Sequence, residues 1–357
     1  MSGTIDIEEL REAIRGVLSD RSGGAIDIPG DEGRGLDRAL WGEMAGLGWL
    51  GMIVPQAHGG LGLGLEHLAV LYEELGRELA SVPVLPTMLA AAAIARHAGP
   101  ETQARWLPAL AAGGCLAAFA LPRDAPLPLL DARGALAGEV DHLLFADCAG
   151  LLALPVRAGE GQMALVLLPT DAAGVTVARR PLVDLTRSAG RVTLDGARVE
   201  DGHLLGLAEA DWAALLDHAA MALACDAAGG AEALLERTVD YLCMREQFGR
   251  PIGSFQALKH RVADWKVRIE AVKVLARHAA ALVEAGAADA SAMASGAKAH
   301  GCDVYAAFAG DAVQLHGGIG FTWEHPCHLF LKRAKLSQQL FGGPAMHRDR
   351  VARLAIG

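Results

Sequence analysis

Ile7, Leu10, Ile14 and Leu18 recur every three or four positions with charges between them, which predicts an amphipathic helix over 5–20. A stretch rich in Gly and Asp, from Ser22 to Gly35, interrupts this pattern. Helical periodicity resumes in LDRALWGEMAGLGWL and breaks again at VPQAHGGLGLG. Leu65–Leu79, Pro86–Ala98 and Glu101–Ala112 read as three more helices. From about Cys115 the texture changes to short β-compatible runs: LAAFAL, HLLFA, LLALPV, MALVLLP, VTVAR and RVTLDGARV, separated by Gly, Pro and Asp. After Leu207 long helical patterns return over Trp212–Met244, Ser254–Val283 and Ala287–Leu315. The expected fold is therefore mainly α with an inserted β domain: a helical region at 1–114, a sheet or barrel at 115–206, and a four-helix bundle at 207–357.

Composition adds how the helices pack. Aromatics make up only 5% of the 357 residues, and Ala, Leu and Gly dominate, so close helix approach through small side chains is expected. The formal charge of −10, without a basic block, disfavours nucleic-acid binding. No stretch reaches the roughly 20 apolar residues that a bilayer span needs, and the N-terminus lacks a signal-peptide pattern, so a cytoplasmic location is expected. The six cysteines show neither CxxC pairs nor a Cys/His ladder, so reduced, mostly buried thiols are expected rather than zinc ligands or disulfides.

Candidate chemistry lies in three glycine-rich stretches and one histidine group. GGLGLG at Gly59–Gly64 has the wrong spacing for a dinucleotide fingerprint and reads as a flexible loop before a helix. His316, His325 and His328 match no common ligand spacing, so no metal is expected. In REQFGRPIGSFQALKHRVADW a helix ends before a Phe-Gly break. Arg245 could fork onto phosphate oxygens there, and Phe248 offers a flat face. In DAVQLHGGIGFTWEHP a helix runs into Gln314, and Gly317 and Gly318 clear space for backbone N–H groups to approach a ligand. Each feature alone could be an ordinary interhelical turn; together they suit a diphosphate.

These last two segments, with GWLGMIVPQAHGGLGLG, LYEELGRELA and DLTRSAGRVTLDGARV, resemble the acyl-CoA dehydrogenase family along nearly the whole chain. The resemblance implies FAD as cofactor, an acyl-CoA thioester as substrate, a tetrameric or dimer-of-dimers assembly, and electron-transfer flavoprotein as the electron acceptor. It also implies that Arg245, Phe248, Gln314, Gly317 and Gly318 contact the ADP part of an FAD held mainly by a neighbouring subunit.

The family's reaction needs a glutamate to take the α-proton of the thioester, a role typically worth about 10²–10⁴-fold. Of the two places where the family carries that glutamate, one corresponds here to Phe341 and the other to Ala219. LPRDAPLPLL (Leu121–Leu130) replaces a loop that touches flavin and substrate, and HLLFADCAG (His142–Gly150) replaces a strand that backs the flavin. Gly343 and His347 stand where the family has a Thr and a Gln that help hold FAD. The leading expectation is a subunit without its own base that completes the FAD site of a homologous partner. An active homo-oligomer with a displaced base, for which Asp217 is the nearest carboxylate, and a flavin-free acyl-CoA or protein-binding module are the alternatives. An Asp two residues from Ala219 projects from a different helix face.

Overall fold

The computed structural model describes residues 6–22, 35–122, 125–159 and 162–356. Its N-terminal helices are α1 (Ile7–Ser22), α2 (Arg38–Gly46), α3 (Leu65–Arg77), α4 (Val84–His97) and α5 (Pro100–Ala111). The strands that follow are β1 (Ala117–Phe119), β2 (Leu129–Leu130), β3 (Ala135–Leu144), β4 (Leu151–Ala158), β5 (Gln162–Pro169), β6 (Val175–Arg180), β7 (Ala189–Arg198) and β8 (Leu204–Gly206). The C-terminal helices are α6 (Glu209–Met244), α7 (Gln256–Ala285), α8 (Ala290–His316), α9 (Cys327–Gln339) and α10 (Pro344–Ile356). A small hairpin, β9 (Glu246–Gln247) and β10 (Arg250–Pro251), separates α6 from α7. The mainly helical fold with a central sheet is as the hydrophobic pattern predicts. The C-terminal part carries three long and two short helices.

Chain order does not delimit the compact units. The first gathers α1, α3 and the chain from Asp217 onward; the second gathers α2, α4, α5 and the sheet. In the second unit the eight strands run β6-β7-β3-β2-β4-β5-β8, and β1 pairs with β4. β1 and β2 pair parallel to β4, and the other pairs are antiparallel. Leu136, Leu152, Leu154, Val156, Val166 and Val192 form the sheet's dry core. Residues 59–64 are less free than the flexible loop their composition suggests, because the amides of Leu61, Gly62 and Leu63 bond back to the carbonyls of Gly51, Val54 and Met52.

The first unit shows what the small residues are for. At Gly229 of α6 a Cβ would land 1.8 Å from the Glu73 carbonyl oxygen of α3, and at Gly76 of α3 it would land 2.2 Å from that of Asp226. The two helices thus cross backbone to backbone, where any side chain would force them apart. α1 docks on α3 through buried Ile14 and Leu18 and through Arg11 and Arg15, which pair with Glu73 and Glu74. α8 runs through the centre and packs on α6, α7, α9 and α10.

No described helix is long and apolar enough to cross a membrane. All six cysteines are free thiols; Cys225, Cys302 and Cys327 are buried, Cys115 and Cys148 half-buried, and Cys243 exposed.

Candidate functional site

α6 ends at Met244, and the amide of Arg245 still donates to the Tyr241 carbonyl at 2.8 Å. The chain then turns through the β9–β10 hairpin with Phe248 at φ 56° and Gly249 at φ 73°. Left-handed backbone at a bulky residue is a genuine outlier costing about 1–2 kcal/mol. The Phe248 ring is 91% exposed, so burial does not compensate. It meets Phe255 edge-on at 6.1 Å, and the Arg250 guanidinium lies 4.2 Å over Phe255. Arg245 itself is exposed.

α8 ends in a comparable way. Gln314 is exposed on its last turn, and Gly317 caps it at φ 63° and ψ −141°, a conformation that requires glycine. No atom lies within 4 Å of the place where a Cβ would stand at Gly317 or Gly318. The two helix ends form one joint: the Tyr241 hydroxyl donates to the His316 carbonyl at 3.1 Å, and the two rings stack 4.5 Å apart. Arg245 and Phe248 are thereby tied to the same end of the bundle as Gln314, Gly317 and Gly318.

His325 lies 4.3 Å from His316, ring to ring, and uses Nδ1 to accept the Cys327 amide. His316 bonds the Ala312 carbonyl through Nδ1. Among the described residues no group of three His, Cys, Asp or Glu side chains has ligand geometry.

The turn between α9 and α10 is the opposite of this open end. Phe341 has φ 52° and is 6% exposed, and Gly342 follows at φ 105°. Three buried donor contacts hold it. His347 Nε2 donates to the Phe341 carbonyl at 3.1 Å, and Lys298 Nζ donates to the carbonyls of Gln338, at 2.7 Å, and of Gly342. Burial lowers the pKa of both groups; His347, further depressed by the nearby Lys298 ammonium, is brought down to about 4.

Lys298 did not emerge from the sequence. Its signal is a lone lysine in the run ASGAKAHGC, one helical turn from Ala294 and from Cys302 on the face that α8 buries.

Ala219 is fully buried in α6 and offers no titratable atom. Asp217 is 5% exposed, and both its oxygens are engaged: Oδ1 accepts from Arg350 Nη1, and Oδ2 accepts from Ser291 Oγ at 2.5 Å. Arg350 also donates to Ser295 Oγ at 2.9 Å.

In the second unit, residues 142–144 end β3, and the chain then turns with Phe145 buried at φ 57°. The Phe145 amide bonds the Ser188 carbonyl, and Ser188 Oγ bonds Asp147. Arg123 and Asp124 of the Leu121–Leu130 stretch lie outside the described residues.

Two constellations therefore occupy α8, one around Lys298 and one around Gln314. At 1.5 Å per residue they stand about 24 Å apart along the axis. The Gln314 end fits the ADP part of FAD: it has an exposed guanidinium, an exposed phenyl face, an amide, and two glycines beside open space. The Lys298 end has no free carboxylate among Phe341, Ala219 and Asp217.

Comparison with known proteins agrees with the architecture. Residues 4–114 match the acyl-CoA dehydrogenase N-terminal domain, and residues 206–356 match the acyl-CoA dehydrogenase C-terminal domain. The chain is 33% identical over 341 residues to acyl-CoA dehydrogenase IpdE2 of Mycobacterium tuberculosis, covering 94% of this chain and 92% of that one. Among solved structures, a chain of a Tcur3481-Tcur3483 steroid ACAD variant matches with a TM-score of 0.85 at 34% identity, over 98% of this chain and 97% of that one. A chain of the ChsE4-ChsE5 complex from Mycobacterium tuberculosis matches with a TM-score of 0.88 at 26% identity, over 99% and 98%. The chain belongs to the acyl-CoA dehydrogenase family of FAD-dependent oxidoreductases.

Proposed function

We propose that this chain is the subunit of a heteromeric acyl-CoA dehydrogenase that does not supply the base. In this reading it completes an FAD site seated mainly in a homologous partner, and the partner carries the catalytic glutamate. The observation that carries the reading is the state of the three positions where a base could stand. Phe341 is an apolar ring locked into a buried turn, Ala219 is a methyl group, and Asp217 is ion-paired to Arg350. Both Asp217 oxygens are already engaged, by Arg350 and by Ser291, so that carboxylate is not free to meet a substrate.

The open end of the bundle supports the other half of the reading. Arg245, which is exposed, would fork onto the diphosphate, the open space at Gly317 and Gly318 would admit it to backbone N–H groups, and exposed Phe248 would cover an adenosine face. When bound, the flavin accepts the hydride from the β-carbon of the thioester. This chain's residues would anchor the far end of the cofactor and so orient it against substrate held elsewhere. Both similar solved chains come from two-component proteins by their names. The steroid ACAD suggests an acyl-CoA with a polycyclic acyl group as substrate, and electron-transfer flavoprotein would reoxidise the flavin.

The test is expression of the chain alone, then with its homologous partner. The expected result is a colourless preparation without dehydrogenase activity alone, and flavin-loaded activity in the pair that Arg245→Ala lowers at least tenfold through flavin content. A chain that by itself retains stoichiometric flavin and oxidises acyl-CoA would overturn the proposal.

A further inference from the structure

The peptide that joins His316 to Gly317 is pinned at both poles. Its carbonyl accepts the Tyr241 hydroxyl at 3.1 Å, and its N–H donates back to the Gln314 carbonyl. The chain therefore enters Gly317 along a fixed line, and the open backbone at Gly317 and Gly318 continues from there.

The His316 ring is pinned as well. Nδ1 lies 2.7 Å from the Ala312 carbonyl, which can only accept, so Nδ1 carries the proton and Nε2 of the neutral ring is left as an acceptor. That Nε2 is buried and has no hydrogen-bond partner among the described residues. The ring stacks on Tyr241 at 4.5 Å with an interplanar angle of 27°. His325 lies 4.3 Å away, ring to ring, and accepts the Cys327 amide on its own Nδ1.

These surroundings suit neutral rings alone. The charged neighbours of His325 are Arg237 of α6, His316 and His328, and that of His328 is Lys332 of α9; all are basic. Among the described residues no carboxylate bonds or pairs with any of the three histidines. A proton on His316 would turn Nε2 into a buried donor with nothing to receive it, and a proton on His325 would break its bond to the Cys327 amide. Burial accordingly lowers the pKa of both, that of His325 to about 4.

We propose that Tyr241 and His316 are positioning residues for the cofactor: the neutral His316 ring, stacked on Tyr241, holds the Gly317–Gly318 backbone in the course that admits the diphosphate. This role rests on the reading that this end of the bundle meets the ADP part of FAD, and it concerns what keeps that end in shape.

The test has two readouts. The first is affinity for added FAD, followed by flavin fluorescence in whichever assembly holds flavin, the pair with a homologous partner or the chain alone. Tyr241→Phe keeps the stack but loses the bond to the His316 carbonyl, and should weaken FAD binding about fivefold. His316→Ala should weaken it further, and His316→Phe, which restores a ring on Tyr241, should recover most of the loss. The second readout needs no flavin. In the full chain labelled with ¹⁵N-histidine, the ring signals missing from His316→Phe should show the proton on Nδ1 and a neutral ring at pH 6, below the ordinary imidazole value of about 6.5. Circular dichroism verifies that each variant is folded. Unchanged affinity in Tyr241→Phe, no recovery in His316→Phe, or a His316 ring that takes up its proton near pH 6.5 overturns the proposal. A chain that holds flavin by itself sinks the heteromeric reading, and the same two readouts on that chain still decide this one.

Discussion

Phe248 and Phe341 invite comparison because their backbones are nearly the same and their surroundings are opposite. Each sits in a short turn after a helix, each has a left-handed backbone, with φ 56° and 52°, and each precedes a glycine with positive φ. Yet Phe248 is 91% exposed and Phe341 is 6% exposed. At Phe341 the backbone strain of about 1–2 kcal/mol is offset inside the chain, by ring burial and by the Lys298 and His347 hydrogen bonds. At Phe248 the described residues offer only the edge-on contact with Phe255, which supports the proposal that this turn meets a ligand. Strain that the rest of the fold compensates marks structure; strain left uncompensated on an open surface marks a binding element.

The largest effect expected on the closed side is from Asp217→Ala. It leaves half-buried Arg350 with only Ser295 Oγ as partner and should cost about 3 kcal/mol in chemical denaturation. A loss under 1 kcal/mol would mean that Asp217 is not committed to Arg350 and is free for other work. Lys298→Met removes the donor from two carbonyls at the Phe341 turn and should cost about 3 kcal/mol. Phe341→Gly relieves the backbone but gives up a buried ring, for a net loss of about 2 kcal/mol.

Acidity should loosen the same region. His347 and His218 are held neutral by burial, each at about 4 against an ordinary value of 6.5. Between those values the unfolded chain binds protons that the folded chain refuses, so stability is full above pH 6.5 and falls as pH drops toward 4. The slope approaches about 1.4 kcal/mol per pH unit for each histidine. His347→Asn should flatten the slope measured by thermal denaturation across that window.

The smallest effect belongs to the open side. Phe248→Gly should change stability by no more than about 0.5 kcal/mol, since relief of strain and loss of backbone order nearly cancel. In the flavin-loaded pair with a homologous partner it should still lower flavin retention. If Phe248→Gly is as destabilising as Phe341→Gly, the contrast between the two turns fails.

Much of the fold was legible because its signals are local. The periodicity of Ile7, Leu10, Ile14 and Leu18 yields α1, and the runs LLALPV and MALVLLP yield β4 and β5 within a few residues. The glycines after Gln314 and the Phe-Gly break after Arg245 could be read because they punctuate long helices. The two-residue strands β2, β9 and β10 are too short to carry a period, and α9 and α10 follow a glycine-rich segment that masks their pattern. Lys298 and Arg350 could not be assigned from composition, since a lysine or arginine on a helix ordinarily faces water.

Sequence alone determined the order of helical and strand regions and the family, because residue identity and spacing suffice for these. Only the tertiary structure decided that α1 and α3 fold with the C-terminal helices, that Asp217 is bound to Arg350, and that one left-handed phenylalanine is buried while the other is bare. Those outcomes depend on partners 40 to 133 positions away along the chain, and proximity at that separation is created by packing rather than by local preference.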